Sequence, residues 1–306
     1  MSQSSRKILH GQPPERSPQV HSGDRSTRGT KNPTDGTIKP TVVVLGAAGV
    51  VGQGTVRSAV AAGRRVVAVG DSRGELAVLR NLHPGADLAL RAATISTDAD
   101  AGRLAAALRR DDRPIEGVID AMAAGPGRGR LIDQPTDVLR KTLEADLLPH
   151  LSAARHLIPL LAETKRGGSY VLIGGPGSEA AWLNYGCRSV AAAALRMLAN
   201  VLHDEAQPLD VRVQMLLLET PIRGEACAAH QCPQWPNGDA IGERALQLIA
   251  REDDGKPARP FVYYGRRVDS AAVRTTNRGG RFTDVRSFLR TLTSADRIEV
   301  FPDDIP

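Results

Sequence analysis

The sequence predicts a doubly wound α/β domain, a parallel sheet with helices on both faces, and three observations carry that prediction. Short apolar runs rich in Val, Leu and Ile alternate with helical segments along the chain, as expected for strands buried on both faces. A glycine-rich loop, GAAGVVGQG, joins the first strand to the first helix. Only 3% of residues are aromatic although 41% are hydrophobic, so the core must be mostly small and branched aliphatic side chains.

Residues 1–39 hold hardly any large apolar side chains and carry seven Lys or Arg against three acids. Such a segment cannot bury enough surface to offset its ordering entropy and is expected to be a disordered basic tail. Order is expected to begin at TVVVLG, residues 41–46, followed by the helix QGTVRSAVAAG ending at Gly63. The second strand is RRVVAVGD (64–71), then a helical GELAVLRNLH and a third strand near 87–95. A helix over 101–111 leads to a fourth strand, IEGVIDAMA, at 115–123. A long helix spans about Thr136 to Thr164, with Pro149 and Pro159 expected to bend it or end a segment. The strand GSYVLIGG (168–175), a helix (183–204), a strand (211–219), a helix (239–252) and RPFVYYG (259–265) complete the series. Residues 40–269 thus read as one domain, and 270–306, with the amphipathic stretch TDVRSFLRTL, as a C-terminal extension.

In VVVLGAAGVVGQG each glycine has a physical reason. Gly46 permits the tight turn, Gly49 lets backbone approach phosphate, and Gly52 lets helix pack closely on strand. The helix start at Val50 and Val51 then offers free N–H groups and a partial positive charge to an anion. This Rossmann-like arrangement is a site for the pyrophosphate of a dinucleotide. Asp71 closes the second strand, about twenty residues on, where a carboxylate can accept from ribose hydroxyls and repel a 2′-phosphate. That favours NAD. Arg73, two residues later, could pair with a 2′-phosphate, which keeps NADP open.

The formal charge of +6 falls largely in the tail, and no aromatic residues interleave the basic ones, so nucleic acid is not an expected partner. Three cysteines indicate no disulfide framework. No apolar run reaches the roughly 18 residues of a membrane span, and the first residues lack an apolar signal region. A cytoplasmic protein acting on a small molecule is expected.

From residue 40 to about 268 the order and spacing of the elements resemble the short-chain dehydrogenase/reductase family. The loop GAAGVVG is similar to that of the family's extended and atypical branches, and NYGCRSVAAAALRMLANVL to a helix of its single-domain reductases. The resemblance implies a nicotinamide-dependent oxidoreductase acting on a carbonyl or alcohol, assembled as a homodimer or homotetramer. In that family a Tyr and a Lys four residues later share one helix face, the lysine lowering the tyrosine pKa and holding the nicotinamide ribose. Tyr185 falls at the tyrosine position, but Ser189 stands where the lysine should be and Arg188 lies one residue early. The strand-end serine position falls on Gly174–Gly175, leaving Ser178 as the nearest hydroxyl, and the asparagine of the long helix matches Asp146. The Asn-Asn-Ala-Gly stretch reads AMAAG (121–125), and the Pro-Gly pair matches Leu218–Glu219.

The resemblance thus implies Tyr185, Ser178 and Asp146 as the catalytic set. An unperturbed tyrosine has a pKa near 10, so about one in a thousand is phenolate at neutral pH. Positioned acid–base catalysis contributes about 10²–10⁴ in rate, most of which the loss of lysine and serine would remove. Two alternatives therefore stay open: a redox-silent enzyme of the same fold (a cyclase, dehydratase or isomerase) and a non-catalytic dinucleotide-binding protein.

Weaker constellations remain. Cys227, His230 and Cys232 in CAAHQC are too few, and wrongly spaced, for a structural zinc site, so no metal is expected. They fall in a stretch, 220–238, that matches the family's mobile lid and contains Trp235. Asp146 and His150 lie four apart on one helix face, a possible acid–base unit; because that helix commonly forms the family's dimer interface, an interface or packing role is the expectation. Cys187 would be nucleophilic only with a lowered pKa.

Overall fold

The computed structural model describes residues 40–123, 127–164, 167–224, 233–251 and 258–265. The expected tail, the C-terminal extension and the CAAHQC group lie outside the described residues.

Seven parallel strands form one sheet in the order β3-β2-β1-β4-β5-β6-β7. They are β1 (Thr41–Leu45), β2 (Arg65–Gly70), β3 (Leu88–Ala92), β4 (Ile115–Asp120), β5 (Ser169–Gly174), β6 (Arg212–Leu217) and β7 (Phe261–Tyr263). The helices are α1 (Val50–Ala61), α2 (Arg73–Leu82), α3 (Asp98–Arg110), α4 (Thr136–Asp146), α5 (Leu148–Ala162), α6 (Gly186–Ala206) and α7 (Gly238–Ala250). Side-chain alternation along β1 sorts them into two layers. Val43 and Leu45 pack with α3, α5 and α6, whereas Val42 and Val44 pack with α1, α2 and α7. The chain winds outward from β1 to β3, then crosses to β4 on the other side of β1. The carboxyl ends of β1 and β4 therefore flank the topological switch point, where such sheets bind ligands.

Two expectations about helices are corrected. The single long helix is two: α4 ends at Asp146, Leu147 breaks the path (φ −123°, ψ −52°), and Pro149 sits in the first turn of α5. Proline there costs nothing because its missing N–H would have had no partner; Pro159, by contrast, is carried inside α5 without ending it. The helix expected at 101–111 begins a turn earlier, where Thr97 and Asp100 form a reciprocal capping box. The α1·α7 contact rests on glycine. A Cβ on Gly54 would stand 2.1 Å from the backbone of Gly238, so the helix following the 220–238 segment lies directly against the helix of the glycine loop.

Candidate functional site

The turn after β1 is fixed by sterics. Gly46 has φ +66°, and a Cβ on it would lie 2.7 Å from the carbonyl oxygen of Ala121 at the end of β4. A Cβ on Gly52 would stand 2.1 Å from the Gly46 oxygen, so both positions require glycine. Gly49 differs. It precedes α1 in extended conformation (φ −72°, ψ 167°), offers no side chain to the helix start, and would bring a Cβ only to 3.4 Å from Gly46. The first-turn N–H groups of Val50, Val51 and Gly52 have no intrahelical partners, and the helix end carries about half a positive charge. This turn can accept an anion. Asp71 directly follows β2 and is exposed, as is Arg73 at the start of α2; Ser72 between them caps α2 by accepting from the Glu75 N–H at 3.3 Å.

A cavity of about 530 Å³ opens beside the α1 start, walled by Val51, Asp146, His150, Tyr185, Arg188 and Trp235 among others. Tyr185 is placed by backbone. Gly129 exchanges hydrogen bonds across it, its N–H donating to the Asn184 carbonyl at 2.6 Å and its carbonyl accepting from the Gly186 N–H at 3.2 Å. A Cβ on Gly186 would meet Leu131 at 2.6 Å, and Asn184 holds a left-handed φ of +63°, a conformation asparagine tolerates. Trp182 packs edge-on against the Tyr185 ring, centroids 5.7 Å apart.

The position expected to hold lysine is filled and satisfied. Ser189 is 7% exposed; its Oγ accepts from the Trp182 N–H and donates to the Tyr185 carbonyl, each at 3.0 Å. The serine position falls on Gly174–Gly175, and the two differ: a Cβ on Gly174 would stand 2.3 Å from the Met215 side chain, whereas one on Gly175, on the cavity wall, would meet nothing within 4 Å. The cavity brings Tyr185 and Asp146 together but not Ser178. That hydroxyl lines an adjoining cavity of about 570 Å³ with Glu179, Arg196 and Tyr263, the two sharing Pro176, Trp182 and Leu218 as walls. Cys187 is buried and donates to Gln134 Oε1 at 3.1 Å, which suits packing.

Sequence reasoning missed the most buried charge of the site. Asp120, the last residue of β4, is 0% exposed. Its Oδ2 lies 2.9 Å from His150 Nδ1 and accepts from the Tyr170 hydroxyl at 3.0 Å, while its Oδ1 faces the Met122 N–H at 3.3 Å. Burial disfavours the charged form of His150, but the nearby Asp120 and Asp146 carboxylates outweigh it and hold the imidazole above its ordinary value. Burial, reinforced by Asp120, pushes the Tyr170 phenol well up. Asp146 is also raised, by burial, against the opposing pull of Arg188 and His150. His150 therefore faces a buried carboxylate and a cavity, where the sequence led us to expect an interface or packing role. The signal was available: Asp120 closes a strand whose preceding three residues, Gly117, Val118 and Ile119, are uncharged and buried.

A family model described as Enoyl-(Acyl carrier protein) reductase matches residues 46–234, more than half of the chain. No curated protein matches it. Among solved structures, a short-chain type dehydrogenase/reductase from Mycobacterium ulcerans is 19% identical over 73% of this chain and 87% of that one, with a TM-score of 0.66. An oxidoreductase of the short chain dehydrogenase/reductase family from Burkholderia thailandensis is 25% identical over 74% and 91%, TM-score 0.64. An NADPH-bound short chain oxidoreductase from Pseudomonas aeruginosa PAO1, described as containing an atypical catalytic center, is 16% identical over 74% and 96%, TM-score 0.65. The glycine turn, the seven-stranded parallel sheet and the matched family model together place this chain in the short-chain dehydrogenase/reductase family.

Proposed function

We propose that this protein is an NAD(P)-dependent oxidoreductase acting on a carbonyl or alcohol of a small, partly apolar molecule. One observation carries the reading: the open N-terminus of α1 at the glycine turn lies beside a cavity that contains Tyr185, with Val51 common to both. Family membership and the NADPH bound by the Pseudomonas aeruginosa relative support it. The N–H groups of Val50, Val51 and Gly52, with Gly46 and Gly49 shaping the approach, would hold the diphosphate. Asp71 would accept from the adenosine ribose and favour NAD, with Arg73 the contact through which NADP could bind. Nicotinamide, when bound, supplies or accepts the hydride.

The chain's own residues handle the proton. Tyr185 donates to the reacting oxygen, or accepts from it in the oxidative direction. Asp146, half-buried at the cavity wall, organises the proton's path, and Arg188 supplies positive charge near the absent lysine. Ser178, on the adjoining cavity, would meet the far end of a substrate spanning both. Tyr185→Phe should lower kcat for nicotinamide turnover by about 10²–10⁴ with dinucleotide affinity preserved; unchanged turnover would refute the role given to Tyr185.

A second reading is favoured by Ser189. With no lysine beside Tyr185, the acid and base groups of the cavity suit a redox-silent cyclisation, dehydration or isomerisation. Substrate conversion without added dinucleotide and without change at 340 nm would select it. Tight dinucleotide binding with no turnover would instead select a binding protein.

A homodimer or homotetramer in the cytoplasm completes the proposal. Its support is that α4 buries none of its residues within the chain, while Val138, Leu151, Val190, Met197 and Val201 on α4–α6 stay exposed. Among the described residues no helix is long and apolar enough to cross a membrane.

A further inference from the structure

Three side chains far apart in sequence meet under the cavity floor. Asp120 from β4, His150 from the first turn of α5 and Tyr170 from β5 share one carboxylate oxygen, and none is more than 3% exposed. Burying a carboxylate completely is costly unless its partners are fixed, and here both are. Of the three, His150 also lines the cavity. With Nδ1 committed to Asp120, the neutral ring holds its proton on that nitrogen and its lone pair on Nε2. An imidazole whose tautomer is fixed by a buried carboxylate is oriented for proton transfer, and here the ring also borders the cavity that holds Tyr185.

We propose that His150, oriented by Asp120, is the proton reservoir behind Tyr185, doing here the work of recharging the phenol. This rests on the oxidoreductase reading. Tyr185 gives its hydroxyl proton to the reacting oxygen; the resulting tyrosinate takes a proton from His150 Nε2 through cavity solvent. Tyrosinate and imidazolium become tyrosine and neutral imidazole, the remaining ring proton staying on Nδ1 and donated to the Asp120 carboxylate. A solvent proton entering past half-buried Asp146 restores the imidazolium, and oxidation runs the same sequence backwards. The groups that face the ring are Asp120 from β4, Tyr170 from β5 and Asp146 from α4, with Arg188 of α6 on the same cavity. The α3 ion pairs lie farther along α5, at Arg155 with Asp98, and beyond its end, at Glu163 with Arg109.

Two measurements on the full chain test this. The first follows the His150 ring by ¹H–¹⁵N NMR from about pH 5 to 9 without ligand, assigned against His150→Gln. The neutral ring should carry its proton on Nδ1, and the midpoint should lie above the ordinary value of about 6.5. A ring that stays neutral throughout, or that holds its proton on Nε2 when neutral, overturns the proposal. The second measures NAD(P)H-dependent reduction of a panel of aldehydes and ketones against pH. Wild-type kcat should fall about tenfold per pH unit above the ring's midpoint, and His150→Gln should lose that limb and about 10²-fold in kcat with little change in KM for dinucleotide. Asp120→Asn keeps the shape and removes the charge, so midpoint and limb should move to lower pH together. A limb that persists in His150→Gln, or stays put in Asp120→Asn while the midpoint moves, overturns the relay alone. Absence of turnover with every carbonyl, beside a ring that titrates as expected, overturns the oxidoreductase reading instead, and the relay with it.

Discussion

The two ends of the cavity are built by different means. At the β1–α1 end the working groups are backbone: N–H groups at a helix start, admitted by glycines whose Cβ atoms would strike Ala121 or Gly46. At the other end, where β4, α4, α5 and α6 meet, the working groups are side chains: Tyr185, Arg188, Asp146 and the buried Asp120–His150 pair. A backbone site tolerates sequence drift as long as the glycines stay, because sterics alone enforce it. A side-chain site can be rewritten residue by residue. That is the pattern here: the glycine turn keeps Gly46 and Gly52, which its sterics require, while the positions that the family resemblance assigns to lysine and serine fall on Ser189 and Gly174–Gly175.

Substitutions in the second region sharpen that contrast. Asp120→Ala should cost the most, about 3–5 kcal/mol in denaturant unfolding, because it strands a buried imidazole and a buried phenol. The loss should depend on pH. His150 has its folded pKa raised, so the attraction to Asp120 is fully present below the unfolded value of about 6.5 and fades as pH rises through the folded pKa. The gap between wild type and Asp120→Ala should therefore narrow toward alkaline pH, and a gap that widens would break the assignment.

Ser189→Lys, which writes the family's lysine back, should destabilise by about 2–3 kcal/mol, since it buries an ammonium and breaks two satisfied hydrogen bonds. Recovered activity without loss of stability would mean that the loop at Trp182 adapts to a longer side chain. Gly175→Ser should have the smallest effect, within about 0.5 kcal/mol, because its side chain enters open space. A larger loss would show that the cavity wall is tighter than it stands here.

The same contrast explains what the sequence made legible. Central strands buried on both faces carry continuous apolar runs, and all seven strands were visible, with ends off by up to three residues. Gly46 and Gly52 were legible because only glycine satisfies those contacts. The break at Leu147 was half legible: Pro149 announced it, but Pro159 made the same local claim and α5 simply absorbed it. Asp120 was not legible as a partner of His150 and Tyr170, which lie 30 and 50 residues away, because periodicity reports which face a residue takes and not what meets it across the core. Ser178 was placed by distance along the chain, and the turn after β5 carries it to a neighbouring cavity.

The account depends most on the α1 start receiving a diphosphate, and calorimetric titration with NAD, NADH, NADP and NADPH tests it directly, using wild type and Gly49→Asp. An aspartate at that helix cap is favourable for the helix, so the variant should fold, yet its charge would face the phosphate the turn is proposed to receive. Like unit charges about 4 Å apart repel by about 4 kcal/mol at an effective dielectric near 20, before salt screening, which corresponds to roughly 10²–10³-fold weaker binding. Wild type should bind, NAD more tightly than NADP, and the folded variant should bind both roughly 10²–10³-fold more weakly. Silence from wild type with all four nucleotides, or equal affinity in Gly49→Asp, would contradict the account.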